Sequence, residues 1–160
     1  MRLGIDFGKV IMGPVINGRA DTTFLGNSFA KAMETPPSEH AFECITDLVD
    51  VFAGEVWIVS KCGQSVQNKT KAWLKHWDFY AATGLAKTNL RFCLERRQKA
   101  GICKQLRITH FIDDRLDVLQ PMKGVVDNLY LFGEQTCEIP VWADHVTNWK
   151  SALEAIKKTV

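Results

Sequence analysis

The 160-residue chain has no apolar run approaching the roughly 18 residues that cross a bilayer, so no membrane span or membrane partner is expected. Its N-terminus, MRLGIDFGKV, shows no signal-peptide pattern, because Asp6 interrupts the apolar stretch at once; a cytoplasmic protein is expected. The five cysteines are an odd number and none stands in CxxC spacing, which argues against a disulfide framework or a zinc site and for reduced thiols used as core filler. Cys62 alone draws interest, because it follows a strand in a candidate site loop. His40, His76, His110 and His145 show no HxxxH spacing. A large excess of either charge is absent too. A net charge of +2 and a pI of about 8.3 give no reason to expect nucleic acid as a partner. No repeat, low-complexity tract or second domain is visible, so residues 1–160 read as one domain with one core; the pattern sets no oligomeric state.

What is present is alternation. Short apolar runs at residues 2–7, 55–60, 88–93, 108–112 and 125–132 have the length of buried strands. Helical patterns lie between them. Residues 39–52 place Phe42, Ile45, Leu48, Val49 and Phe52 on one amphipathic face. Residues 66–77 and 95–106 follow, then a short one at 116–123 that Pro121 ends or kinks. Thr147 is placed to N-cap a last helix that runs through Ile156, with Lys157 and Lys158 suited to its C-terminal dipole. Strands alternating with helices imply an α/β fold, a doubly wound, mainly parallel sheet covered on both faces in a three-layer sandwich. Residues 12–37, rich in Gly, Pro and Asn, read as a loop insertion after strand one.

Ligands of open parallel sheets bind at the carboxyl ends of the strands. There the sequence puts Asp6, Ser60-Lys61 and Asp113-Asp114, with Lys99 at the start of a helix and Lys104 further along it. Converging carboxylates are costly unless a cation or proton neutralises them, and a hard divalent ion with oxygen ligands, Mg²⁺, is the natural solution. Other roles exist for each residue. Asp6 could cap a strand end, Asp113 and Asp114 the following helix, Ser60 could simply end a strand, and Lys99 could be a solvated helix residue. Arg115 and Asp117 read as local helix charges.

The order of these motifs resembles the haloacid dehalogenase-like (HAD) phosphatase superfamily over roughly residues 1–132, with LGIDFGKVI, VWIVSKCG, Lys99 within ERRQKAGICKQL, and THFIDDRLDVL in turn. The resemblance implies a HAD-like Rossmannoid fold, with 12–37 too short for a full cap and the site open to a small phosphorylated molecule. It implies that Asp6 is a nucleophile and that Ser60, Lys61 and Lys99 hold phosphate. Lys99 is preferred to Lys104 because it lies nearer the strand ends. Asp6, the carbonyl of Gly8 and the Asp113-Asp114 pair are implied to hold Mg²⁺, with the direct ligand of the pair left open.

One position departs from the pattern. The superfamily's phosphatases carry a second aspartate, the general acid/base, two residues after the nucleophile; here that position is Gly8. Two readings follow. One is a Mg²⁺-dependent phosphatase-like hydrolase acting through an aspartyl-phosphate, weak or restricted to activated phosphates. The other is a catalytically impaired HAD-fold protein that binds a phosphorylated ligand or a protein partner. A metal-free dehalogenase-like reaction on carbon is disfavoured by the acidic pair. Two look-alikes are set aside. Asp6-Phe7-Gly8 spells a kinase metal motif with no catalytic loop before it, and residues 63–70 resemble a phosphate loop but carry Asn68 where the second glycine belongs.

Overall fold

The structure, a computed structural model, describes residues 1–13, 15–16, 19–20 and 28–160. Strand β1 (Leu3–Ile5) is followed by two short strands, β2 (Val15–Ile16) and β3 (Arg19–Ala20), and by helices α1 (Phe29–Glu34) and α2 (Ala41–Val51). Then come β4 (Val56–Lys61), α3 (Gln64–His76), α4 (Phe79–Thr83), β5 (Leu90–Cys93), α5 (Gln98–Leu106) and β6 (His110–Asp113). The chain ends through α6 (Leu116–Leu119), a 3-10 turn at Gln120–Met122, β7 (Asn128–Phe132), β8 (Asp144–Val146) and α7 (Trp149–Lys157).

Six strands form one sheet in the order β5-β4-β1-β6-β7-β8, every pair parallel. Parallel neighbours need crossovers, and helices supply them on both faces. One core packs Ile45, Trp73, Phe79 and Trp149 from α2, α3, α4 and α7 against Leu3, Ile5 and Ile58. The other packs Cys103, Val118 and Leu119 from α5 and α6 against Val59, Phe111 and Leu131. The expected three-layer α/β/α sandwich is therefore present. The chain winds outward from β1 to β5, then crosses back to β6 on the other side of β1. The topological switch point thus lies between β1 and β6, the place where such sheets take ligands.

Central β1 is buried at both Leu3 and Ile5 and pairs on either side with β4 and β6. Gly4 is required there, since a Cβ on it would stand 2.4 Å from the Phe111 ring. Two buried tryptophans pin the chain that follows β1. Trp149 Nε1 donates to the Val10 carbonyl at 2.8 Å and Trp73 Nε1 to the Thr35 carbonyl at 2.7 Å, so each indole is satisfied while its ring fills the core.

Several local expectations are corrected. The segment 12–37 is not simply a loop: β2 pairs antiparallel with β3, and α1 docks on α3 through Trp77 Nε1, which donates to the Met33 carbonyl at 3.1 Å. Residues 14, 17–18 and 21–27 of that segment lie outside the described residues. β8, with Val146 its one apolar residue, and α4, only five residues long, gave no run or period to register as elements. Asn148, not Thr147, caps α7; its side chain accepts from the Ser151 amide in a reciprocal capping box. Among the described residues, no helix is long and apolar enough to cross a membrane.

His110 opens β6, fully buried, with Thr109 Oγ1 at 2.7 Å and Thr159 Oγ1 and Asn128 Nδ2 each at 3.2 Å. Burial holds its pKa below the ordinary 6.5. The unfolded chain therefore takes up a proton first as pH falls. This contribution to stability is intact above about pH 6.5 and is lost as pH drops below it. Urea midpoints measured from pH 7.5 to 5.5 are expected to fall more steeply for the wild type than for His110→Asn; equal slopes would show that His110 does not carry the effect.

Candidate active site

Asp6 follows β1 directly. Its amide donates to the Ile112 carbonyl at 2.9 Å, which continues the β1–β6 ladder by one residue and sets Asp6 beside Asp113, the last residue of β6. Ser60 lies on the other side, within β4. The tight turn after Asp6 closes through Lys9, whose φ of 61° is left-handed and whose amide donates to the Met12 carbonyl at 2.8 Å.

Lys99 enters from the first turn of α5. Its Nζ donates to Asp6 Oδ1 at 2.6 Å and to Asp113 Oδ2 at 2.7 Å, and all three groups are buried. Burial works against the ammonium, but Asp6 and Asp113 outweigh it and hold the Lys99 pKa above the usual lysine range. Burial, then Asp6, pushes the Asp113 carboxyl up against the opposing pull of Lys99. Asp113 also accepts from the Arg115 amide through Oδ1 at 3.0 Å, so it supports the start of α6 as well as the site. Asp114 is half-buried and pushed up to about 6, by burial first and Asp6 second, with Lys9 Nζ 3.9 Å away.

Asp6, Asp113 and Asp114 each offer an oxygen within 4.8 Å of the others. Three carboxylates face one internal ammonium, so the centre carries excess negative charge in a buried place. The donor set is oxygen only. It fits a small hard divalent cation, which takes oxygen ligands at about 2.0–2.1 Å.

These groups line one cleft of about 340 Å³ that also includes Ser60, Lys61 and the backbone at Gly8. The predicted residues therefore come together, with Lys61 exposed at the lip and Lys104 exposed elsewhere on α5, away from the cleft lining. Of the described residues in 12–37, only Met12 lines the cleft. Gly8 adopts no left-handed φ, and a Cβ built on it meets nothing within 4 Å. Neither backbone strain nor packing demands glycine there.

The chain matches no protein-family model and no curated protein sequence. In structure, it resembles a HAD-superfamily hydrolase from Ehrlichia chaffeensis, with a TM-score of 0.58 over 98% of this chain and 96% of that one, at 11% identity. The fold is HAD-like. At that identity the likeness speaks for the fold alone, so the chemistry of this HAD-like chain rests on its own side chains.

Sequence reasoning missed three contributors. Lys9 meets Asp114, and Arg96 lines the cleft; both lie in turns whose direction only the fold sets. Gln135 Nε2 donates to the carbonyls of Asp114 and Phe132 at 3.1 and 2.9 Å, tying the acidic pair to the end of β7. No sequence pattern marks a lone glutamine for that task. Arg115, read as a local charge, does pair with Asp117 through two bonds at 2.9 and 3.0 Å, yet it also lines the cleft.

Lys99→Met removes the one ammonium between two buried carboxylates. Losing one partner of a buried ion pair costs about 3–5 kcal/mol, so denaturant unfolding should show a loss of that order. Lys104→Met, at an exposed position, should leave the midpoint unchanged. A wild-type midpoint in Lys99→Met would contradict the buried contact.

Proposed function

We propose that the chain is a Mg²⁺-dependent, phosphatase-like hydrolase that works through an aspartyl-phosphate on Asp6. The supporting observation is the convergence of Asp6, Asp113 and Asp114 within 4.8 Å, beside Lys99 and Ser60, in one cleft at the switch point of a HAD-like sheet. Asp6, the Gly8 carbonyl and the Asp113-Asp114 pair are the groups that would hold the ion. Bound there, Mg²⁺ supplies positive charge against both the carboxylates and the phosphate.

The remaining work falls to the protein's own groups. Lys99 holds Asp6 Oδ1, which leaves Oδ2 to attack phosphorus. A bond forms from Asp6 to phosphorus as the bond to the leaving oxygen breaks, and that oxygen departs with the electron pair. Ser60 donates to a phosphate oxygen, while Lys99 and Lys61 offset the charge that builds on the others. Water then cleaves the aspartyl-phosphate and releases phosphate.

Gly8 shapes the substrate range. With no side chain to protonate the leaving oxygen, groups that depart as stable anions are favoured, such as the carboxylate of an acyl phosphate. A missing general acid costs about 10²–10⁴-fold in rate. The same glycine supports the second reading, a HAD-fold protein that binds a phosphorylated ligand without turning it over.

Acetyl phosphate hydrolysis is expected to require Mg²⁺ and to vanish in Asp6→Asn. Gly8→Asp has open space for its side chain. It should raise turnover of alkyl phosphates by about 10²–10⁴-fold while changing acetyl phosphate turnover far less. If neither the wild type nor Gly8→Asp turns over any of a broad phosphate panel, the enzyme reading fails and the binding reading replaces it.

A further inference from the structure

A net charge of +2 conceals a strong separation. Residues 61–107 contain eleven of the twenty Lys and Arg residues and only two, Asp78 and Glu95, of the eighteen Asp and Glu. That stretch runs from the end of β4 through α3, α4, β5 and α5, and the sheet order places β5 at one outer edge. The cations therefore surround the β5 edge, those of α3 on one face of the sheet and those of α5 on the other. The β7–β8 end and α2 hold much of the opposing charge. The net value, one ground of the expectation against nucleic acid, averages these two halves.

The flank is more than a charged surface. Lys61, Lys71, Lys75, Lys87 and Lys104 are exposed, and among the described residues none of them has a carboxylate at ion-pair distance. One aromatic ring lies beside a cation on each face of the sheet, Phe92 on the α3 face and Trp57 on the α5 face. Lys71 Nζ sits 5.7 Å from the centre of the half-buried Phe92 ring on β5, and the Arg91 guanidinium lies 4.8 Å from half-buried Trp57. Leu94, just past β5, is 65% exposed. At Lys61 and Arg96 this surface runs into the cleft.

We propose that the β5 flank binds single-stranded nucleic acid. Unpaired lysines spread over several elements suit the regular charge of a phosphate backbone, and binding there would release condensed counterions. Half-exposed rings beside them offer faces on which bases stack, as surfaces that hold single strands do. An acidic peptide would satisfy the cations but leave the rings and Leu94 unused. The inference concerns binding alone and does not depend on hydrolysis.

Fluorescence anisotropy with a labelled 20-nucleotide oligo(dT) at 150 mM salt should give saturable binding in the range of about 1–100 μM, the range of sequence-independent contacts. The logarithm of the affinity should fall with log salt by about 0.7 per phosphate engaged. The charge-reversed pair Lys71→Glu with Lys75→Glu should weaken binding at least about tenfold and flatten the salt slope. Lys150→Glu, on α7 away from the flank, should bind within about twofold of wild type, with circular dichroism confirming that all variants fold. Phe92→Leu, which keeps apolar bulk, should weaken binding several-fold with the salt slope unchanged. Four results would overturn the proposal: no wild-type binding at 150 mM salt, equal loss in Lys150→Glu and the flank pair, displacement by polyglutamate as effective as by unlabelled oligonucleotide, or tighter binding to phosphatidylserine vesicles than to the oligonucleotide.

Discussion

The Lys99 ammonium, held between the carboxylates of Asp6 and Asp113, is the contact on which the upper end of this molecule depends. Asp6 leaves β1, Asp113 ends β6, and adjacent parallel strands bring the two carboxylates side by side at the centre of the sheet. Without a counter-charge, two buried carboxylates at that distance cannot both stay ionised. A lysine from the first turn of α5 reaches both, and thereby fixes α5 against the strand ends. One ammonium does not balance three carboxylates. The residual negative charge, with Asp114 pushed up to about 6, is what makes an oxygen-ligated cation a chemically sensible occupant.

Packing serves this arrangement from below. Gly4 lets Phe111 lie against β1, so that β1 and β6 can pair as neighbours with no side chain between them. Trp149 and Trp73 hold the chain after Asp6 by its carbonyls, so the turn that carries Gly8 and Lys9 is tied to the helical core on one face. Gln135 ties the other carboxylate-bearing loop to the end of β7. The cleft is thus built on short, hydrogen-bonded turns over rigid strands. That is the usual way for a scaffold to keep reacting groups in register.

Much of the fold was legible because its signals are local. Five of the six sheet strands appear as apolar runs of the right length, and α2, α3, α5 and α7 appear as periodic faces. β8 was not legible, since Asp144 and His145 are exposed and only Val146 is buried, so no apolar run exists to be seen. α1 and α4 are short and draw their stability from docking on α3 and α2, a property of the packed state rather than of their own sequences. The cap of α7 fell one residue later than Thr147 because Asn148 can complete a reciprocal pair with Ser151, and Thr147 cannot.

The sequence by itself determined which residue types stand at the strand ends, and that position 8 carries no side-chain acid. Both are matters of residue identity and strand period, which the chain carries locally. Only the tertiary structure decided that Lys99 rather than Lys104 reaches the carboxylates, that Lys9, Arg96 and Gln135 join the site, and that space remains where an acid at position 8 would sit. Those depend on distances between residues as far apart in the chain as Lys9 and Asp114, which crossover geometry sets and no local pattern encodes. The separation of charge across the sheet is of the same kind. Its residues can be counted in the sequence, but β5 becomes an outer edge, and its cations a surface, only once the strand order is fixed.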